Sequence, residues 1–142
     1  MISTARGYRI TQSKLRDLER GLAEYEKHGG FDLEPGMRQV SIDSLRAFCD
    51  QLRQELAHYD ELRAGRREFA LSSFEELPQA LVQARIAAGL TQKQLAQKLG
   101  VKPQQIQRYE ANGYKGVAWD TAACVAEALD LSFQALLRRS AP

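Results

Sequence analysis

The chain has 142 residues, which is enough for one ordinary domain or two small ones. Hydrophobic residues make up 44% of it and charged residues 27%, a composition that permits a packed core. No apolar run approaches the roughly 18 residues that a membrane span needs. Residues 1–10 also lack the apolar segment of a secretory signal. We therefore expect a cytoplasmic protein without a membrane partner.

The net charge of +2 is unevenly distributed along the chain. Residues 1–73 carry 12 Lys and Arg against 12 Asp and Glu, whereas residues 74–142 carry 8 against 6. This surplus is a weak indication of a polyanionic partner for the C-terminal half. Cys49 and Cys124 each fall on the apolar side of a predicted helix, so we expect two buried hydrophobes rather than a disulfide or a redox sensor. His28 and His58 share no metal-binding spacing with other ligands, and we expect neither a metal nor a cofactor.

Helical periods dominate the first half, where proline is scarce and β-branched residues are few. From Thr11 to about His28, apolar residues recur every three or four positions, which is typical of an amphipathic helix. These positions are Leu15, Leu18, Leu22 and Tyr25. Gly29 and Gly30 end this stretch, and Pro35 and Gly36 indicate a loop from Phe31 to about Met37.

A second helix is predicted from about Ser41 to Ala64. Its apolar residues follow nearly the 3.5-residue period of a coiled coil, and they are Leu45, Phe48, Leu52, Leu56, Tyr59 and Leu62. Two such stripes joined by a short loop favour an antiparallel helical hairpin over residues 1–72. We expect this hairpin to serve dimerisation or partner binding. The pattern leaves open whether its helices pair within one chain or between two.

The second domain is expected over residues 73–142. The segment from Arg66 to Leu71 is the only plausible strand, and we interpret it as the connection between the domains. Ser73 and Glu76 have the spacing of a capping box at a helix start. One face of the helix that follows carries Leu77, Leu81, Ala84 and Ala88.

Closely spaced signals for helix starts and helix ends then indicate a helix-turn-helix between Thr91 and Asn112. Thr91 and Gln94 have capping-box spacing at the start of a helix over Gln92 to Leu99. Gly100 is suited to the left-handed conformation that ends a helix, and Pro103 suits the first position of the next one. Ala96 leaves room for the two helices to cross closely.

The stretch LTQKQLAQKLGVKPQQIQRYEANG, Leu90 to Gly113, strongly resembles the phage-repressor (Cro/C1, or XRE) family. The resemblance extends from about Leu77 to Leu137. It implies an all-α fold, in which a five-helix, lambda-repressor-like domain binds double-stranded DNA. Its fourth helix is expected to start at Trp119, with Trp119 in the core beside Ala122, Val125, Ala126 and Leu129 rather than wedged into DNA. A fifth helix, capped by Ser132, is expected to carry Leu136 and Leu137, with Leu131 continuing the same apolar face.

The same resemblance implies roles for individual residues. Base edges in the major groove are expected to be read by Gln104, Gln105 and Arg108. Phosphates are expected to bind Gln92, at the positive end of its helix, and Lys93, Lys102 and Lys115. Lys102 departs from the small hydroxyl residue that the family usually has there. Arg85 and Glu110 match a structural ion pair that ties the recognition helix to the domain.

The sequence favours two classes of function and argues against a third. The first is a sequence-specific transcriptional regulator, a homodimer on a pseudo-palindromic operator. The second is an antitoxin of a type II toxin–antitoxin system, in which the N-terminal hairpin neutralises a toxin protein and the C-terminal domain autoregulates the operon. An enzyme is not expected, because no nucleophile–base pair, metal spacing or phosphate-binding glycine loop is present.

Overall fold

The computed structural model describes residues 1–29 and 34–134, and every regular element in these ranges is a helix. The predicted all-α fold is therefore confirmed. Chain contacts divide the protein into two compact units, Met1–Arg66 and Arg67–Pro142. No helix in the described ranges is both long enough and apolar enough to cross a membrane.

The first unit contains two long helices, α1 (Ala5–His28) and α2 (Pro35–Arg63). Both start about six residues earlier than predicted. Thr4 begins α1, because its extended backbone lets its side chain accept a hydrogen bond from the Gly7 amide at 3.0 Å. Pro35 occupies the first turn of α2, where its missing amide proton costs nothing, so the last part of the predicted loop is helical.

The two helices pair antiparallel within a single chain. Tyr8 donates to Asp60 at 2.9 Å, and Arg46 donates to Glu26 at 2.7 Å. Between these pairs, Arg53 lies 2.5 Å from Glu19. As residue numbers rise along α1, those of the α2 partners fall, which is the register of a hairpin. The hydrogen bond to Asp60 raises the pKa of the Tyr8 phenol, since it is made only by the protonated form.

The core of this hairpin differs in part from the apolar stripe predicted on the second helix, Leu45 to Leu62, which we call the seam. Its buried α2 residues are Ile42, Cys49, Leu52, Leu56, Tyr59 and Leu62. Ile42 and Cys49 were not assigned to the seam, whereas Leu45 and Phe48 were and are only half-buried. Cys49 is buried, as expected. The last four members of the predicted seam are thus enclosed within one chain, and a second chain cannot reach them while the hairpin stays closed.

The second unit opens with an irregular segment and not with the strand expected between Arg66 and Leu71. A single short strand has no neighbour here to pair with its backbone groups, so the prediction was wrong. A 3-10 turn follows at Phe74–Glu76. Ser73 precedes it without a side-chain cap, and the Glu76 carboxylate instead accepts from the Ser72 amide at 2.7 Å. The predicted capping box is therefore only half formed, one residue earlier.

Four α-helices make up the described body of this unit, and they are α3 (Leu77–Ala87), α4 (Gln92–Leu99), α5 (Pro103–Ala111) and α6 (Trp119–Ala128). α4 packs against both α5 and α6. Ala88, predicted on the inner face of α3, lies just beyond it and is exposed. Leu131 and Ser132 lie in a non-helical stretch, and most of the predicted fifth helix falls outside the described residues.

The start of α6 corrects two predictions about the core. Trp119 is 56% exposed, and its ring stacks on exposed Phe74 with centroids 5.2 Å apart. Cys124 is also exposed. Val125 is the buried residue of α6, and at 100° per residue Trp119 and Cys124 lie 120° and 100° from it on opposite sides of the helix, so neither shares its face. Beside this helix, Arg67–Leu71, α3, α6 and residues 130–134 line a cleft of about 970 Å³.

Candidate nucleic-acid interface

The turn between α4 and α5 is set by local hydrogen bonds. The Thr91 hydroxyl accepts from the Gln94 amide at 3.1 Å, and the Gln94 side chain accepts from the Thr91 amide at 2.8 Å, so the predicted capping box is present. Gly100 ends α4 at φ 68° and ψ 26°, a left-handed conformation that strains residues with a Cβ atom. Pro103 then opens α5, as expected.

A close helix crossing holds α4 against α5. Ala96 is completely buried, and Leu95 and Ile106 are equally enclosed. The Val101 amide donates to the Ala96 carbonyl at 3.0 Å, which closes the turn directly over this contact. Burial of Ile106 fixes which side of α5 faces the domain, and the opposite side is thereby displayed to solvent.

The displayed side of α5 carries two of the three predicted base-reading residues. Gln104 and Arg108 are one helical turn apart, lie on the side opposite Ile106, and are both exposed. Gln105 lies towards one edge and is half-buried. Its amide donates to the Tyr109 hydroxyl at 2.5 Å, so one of its two N–H donors is already engaged.

The predicted phosphate-binding residues lie around this face. Lys93 is on the first turn of α4, Lys102 directly precedes α5, and Lys115 is in the turn after α5; all three are exposed. Lys102 caps α5 only through its backbone, as expected for a residue without a hydroxyl. The α4 terminus is electropositive because its first amide groups have no partner inside the helix.

Arg85 and Glu110 are brought together in the interior of the unit, where the side chain of each is only 3% exposed. Arg85 donates to the two Glu110 oxygens through Nε at 2.5 Å and Nη2 at 2.7 Å. Its Nη1 donates to the Leu90 carbonyl at 2.8 Å. The pair therefore joins α3, the α3–α4 turn and α5 in one geometry.

A third member of this network was not predicted. The Gln92 amide nitrogen donates to Glu110 Oε2 at 2.8 Å, which fixes the orientation of the Gln92 side chain at the start of α4. One N–H of this amide is consequently engaged within the domain. The family pattern assigned both residues but not their contact, because a distance between helices is not visible in spacing along the chain.

The buried position of Tyr114 was also not predicted from the sequence. It is buried at φ 55°, a left-handed backbone conformation that is uncommon for bulky residues. Its hydroxyl has no hydrogen-bond partner in the structure as described. Burial, followed by the nearby charge of Glu110, raises the pKa of the Tyr114 phenol. Asn112-Gly113 before it was the only sequence signal, since that dipeptide is typical of turns.

The fold and this polar helix face define a double-stranded DNA-binding class of domain. Residues 81–136 match the family model described as helix-turn-helix (HTH_3). The chain therefore carries a helix-turn-helix domain over these residues, the type of DNA-binding domain that its resemblance to the Cro/C1 (XRE) family implies. This match confirms the resemblance seen between Leu90 and Gly113, and it does not extend over the N-terminal hairpin. Comparisons with curated proteins and with solved structures find no match.

Proposed function

We propose that the protein is a sequence-specific transcriptional regulator whose α5 helix enters the major groove. The exposed side of α5, opposite buried Ile106, is the observation that carries this proposal. Arg108 pairs with guanine and Gln104 with adenine, since their forked donors and acceptors match those base edges. Gln105 contributes through the N–H and carbonyl that Tyr109 leaves available.

Phosphate contacts then orient the domain on the duplex. Lys93, Lys102 and Lys115 supply charge around α5, and Gln92 supplies its second amide N–H together with the α4 terminus. In this proposal Glu110 holds Gln92 in place for that contact while its ion pair with Arg85 holds α5.

A homodimer on a pseudo-palindrome provides the remaining affinity, because one helix-turn-helix reads only a short half-site. We assign dimerisation to the hairpin, residues 1–72. Since Leu52, Leu56, Tyr59 and Leu62 are enclosed within the chain, the second copy contacts the open end of the seam at Leu45 and Phe48.

An antitoxin is the second candidate, and a specific surface favours it. Met37 and Val40 lie one turn apart at the start of α2 and are 61% and 66% exposed. Binding of a toxin protein to this apolar pair would give a role to the N-terminal hairpin, which does not read DNA bases in this proposal. A small toxin-like reading frame beside this gene, whose product co-purifies with the chain, is the outcome that decides for it.

Selection of binding sites from random duplex DNA tests the main proposal. The expected result is a two-fold symmetric motif with half-sites about one helical turn, 34 Å, apart, and a dimer mass by light scattering. Arg108→Ala serves as the matched variant and should alter the selected motif at one position per half-site. Failure to enrich any motif would refute sequence-specific binding.

A further inference from the structure

The face of α1 that points away from α2 is rich in basic residues, with Asp17 and Glu24 as acidic residues at one border of it. Its positively charged residues follow steps of three, four and seven, and they are Arg6, Arg9, Arg16, Arg20 and Lys27. At 100° per residue they fall within about 80° of one another, on the side opposite buried Leu15. All five are exposed. We call this set the α1 basic face.

Most of this charge has no acidic neighbour. Arg6, Arg9 and Arg16 make no ion pair with a carboxylate in the described part of the chain, and Arg20 reaches Asp17 only at 3.9 Å on an open surface. On α2, by contrast, Arg46 and Arg53 are paired with carboxylates of α1. Glu19 and Glu26 of α1 are thus engaged at the helix–helix contact, whereas Arg6, Arg9 and Arg16 remain without a carboxylate partner among the described residues on the outer side of α1.

The excess of positive charge on this face does not come from the overall composition of the N-terminal half. Residues 1–73 carry equal numbers of positive and negative side chains, so the α1 basic face results from segregation of charge. Like charges one turn apart, such as Arg16 and Arg20, weakly destabilise a helix. A polyanion laid along the face relieves that repulsion.

We propose that the α1 basic face binds the phosphate backbone of duplex DNA beside the site that α5 reads, an inference that rests on the proposed function. From Arg6 to Arg20 the face extends about 21 Å, a length over which a duplex presents about 12 phosphate charges. Residues 64–73, which form no α-helix, connect the units and span up to roughly 35 Å when extended. Binding by α5 thus raises the effective concentration of DNA at the hairpin.

Duplex DNA fits this face better than an anionic membrane does. A helix that lies on a membrane inserts an apolar side next to its basic one. In α1 that apolar side is packed against α2, with Leu15 buried, and only Ile10 is exposed at the border of the basic face. A surface that is charged but not apolar suits phosphate groups in water.

The test compares the full-length parent with an Arg6→Gln/Arg9→Gln/Arg16→Gln variant. Glutamine keeps the helix propensity but removes the charge. Affinity is measured against salt for the selected operator and for an unrelated duplex. If all three residues contact phosphate, the slope of log K against log salt falls by about 2.7 on both duplexes. The affinity of the variant is then lower than that of the parent by a factor that shrinks up to about 40-fold between about 50 and 200 mM salt.

Two controls keep the result interpretable. The matched Arg→Lys variant at the same three positions keeps the charge and should keep the parental slope, while all variants should share the parental melting temperature. Arg108→Ala should change site preference without this change in slope. An unaltered slope in the glutamine variant would overturn the inference even if Arg108→Ala loses site preference and so upholds the proposed function. Loss of a co-purifying acidic protein with DNA affinity intact would also overturn it.

Discussion

Removing Glu110 should destabilise the helix-turn-helix unit far more than removing any exposed charge. Glu110→Ala deletes the acceptor for three hydrogen bonds, two from Arg85 and one from Gln92. The Arg85 guanidinium, 3% exposed, would then lose its counter-charge while it keeps the Leu90 carbonyl as an acceptor at 2.8 Å. An unpaired charge in a poorly hydrated position is the main cost, not the lost attraction itself.

The expected magnitude follows from that burial. Breaking a buried ion pair by deleting one partner costs about 3–5 kcal/mol, and the lower end applies here because the Leu90 contact remains. For a unit of this size, a loss of 3 kcal/mol lowers the melting temperature by roughly 12–24 °C. Arg85→Met should cost a similar amount, because it leaves the Glu110 carboxylate buried with Gln92 alone. The double variant Arg85→Met/Glu110→Leu should recover most of the loss, since no charge remains buried.

Trp119 provides a selective assay. It is the only tryptophan in the chain and belongs to the second unit, so its fluorescence follows unfolding of the helix-turn-helix and not of the hairpin. Urea unfolding of the full-length variants should show the loss as a lower midpoint at unchanged slope. Arg108→Ala, a charge deletion at an exposed position of α5, is the control and should unfold with the parent. Single variants at Arg85 and Glu110 that also match the parent would refute the reasoning.

Three further predictions concern DNA binding, an unpaired hydroxyl and the role of the hairpin. Arg108→Ala should lose about 1–3 kcal/mol on the selected site and relax one base position, whereas Lys93→Ala should weaken all duplexes alike and lower the salt slope by about 0.9, both by binding titration. Tyr114→Phe should raise the stability of the second unit by about 1 kcal/mol, because it removes a buried hydroxyl without a partner. The parent should lose stability as pH rises above about 10, where the phenol ionises only in the unfolded state, and Tyr114→Phe should lose less. A fragment of residues 67–142 should fold but bind its site about 100-fold more weakly, by loss of avidity.

Each of these has an outcome that contradicts it. Equal losses of Arg108→Ala on specific and unrelated duplexes would remove Arg108 from the major groove. A less stable Tyr114→Phe variant would mean that the hydroxyl is hydrogen-bonded after all. A fragment that binds as tightly as the full chain would show that the hairpin contributes neither avidity nor phosphate contacts.

Sequence reasoning was most accurate where structure depends on neighbours along the chain. The bounds of α4 were predicted to the residue, because Thr91, Gln94 and Gly100 act within one or two turns of each other. The start of α5 at Pro103 has the same local cause. Thr4 carried an equally local signal for the start of α1, with its side chain reaching the Gly7 amide, and the apolar stripe beginning at Leu15 concealed it.

The failures occurred where a distant part of the chain decides the outcome. Trp119 and Cys124 were predicted in the core, but both lie 100° or more from buried Val125 on α6, and the packing of this helix against α4 decides which side is enclosed. The segment 66–71 was predicted as a strand, but it is irregular, since no neighbouring strand in the described residues pairs with it. In the hairpin, a seam can be closed by the same chain or by another, and the contacts between α1 and α2 distinguish the two.

Within α5, four residues form two pairs with separate structural roles. Ile106 and Glu110 are enclosed and determine where the helix sits. The side chains of Gln104 and Arg108 are exposed on the opposite side of the helix. Changes at the exposed pair should therefore redirect base preference with stability effects within about 0.5 kcal/mol, as is usual for surface substitutions. Changes at the enclosed pair should reduce binding to every sequence, because they displace the whole helix.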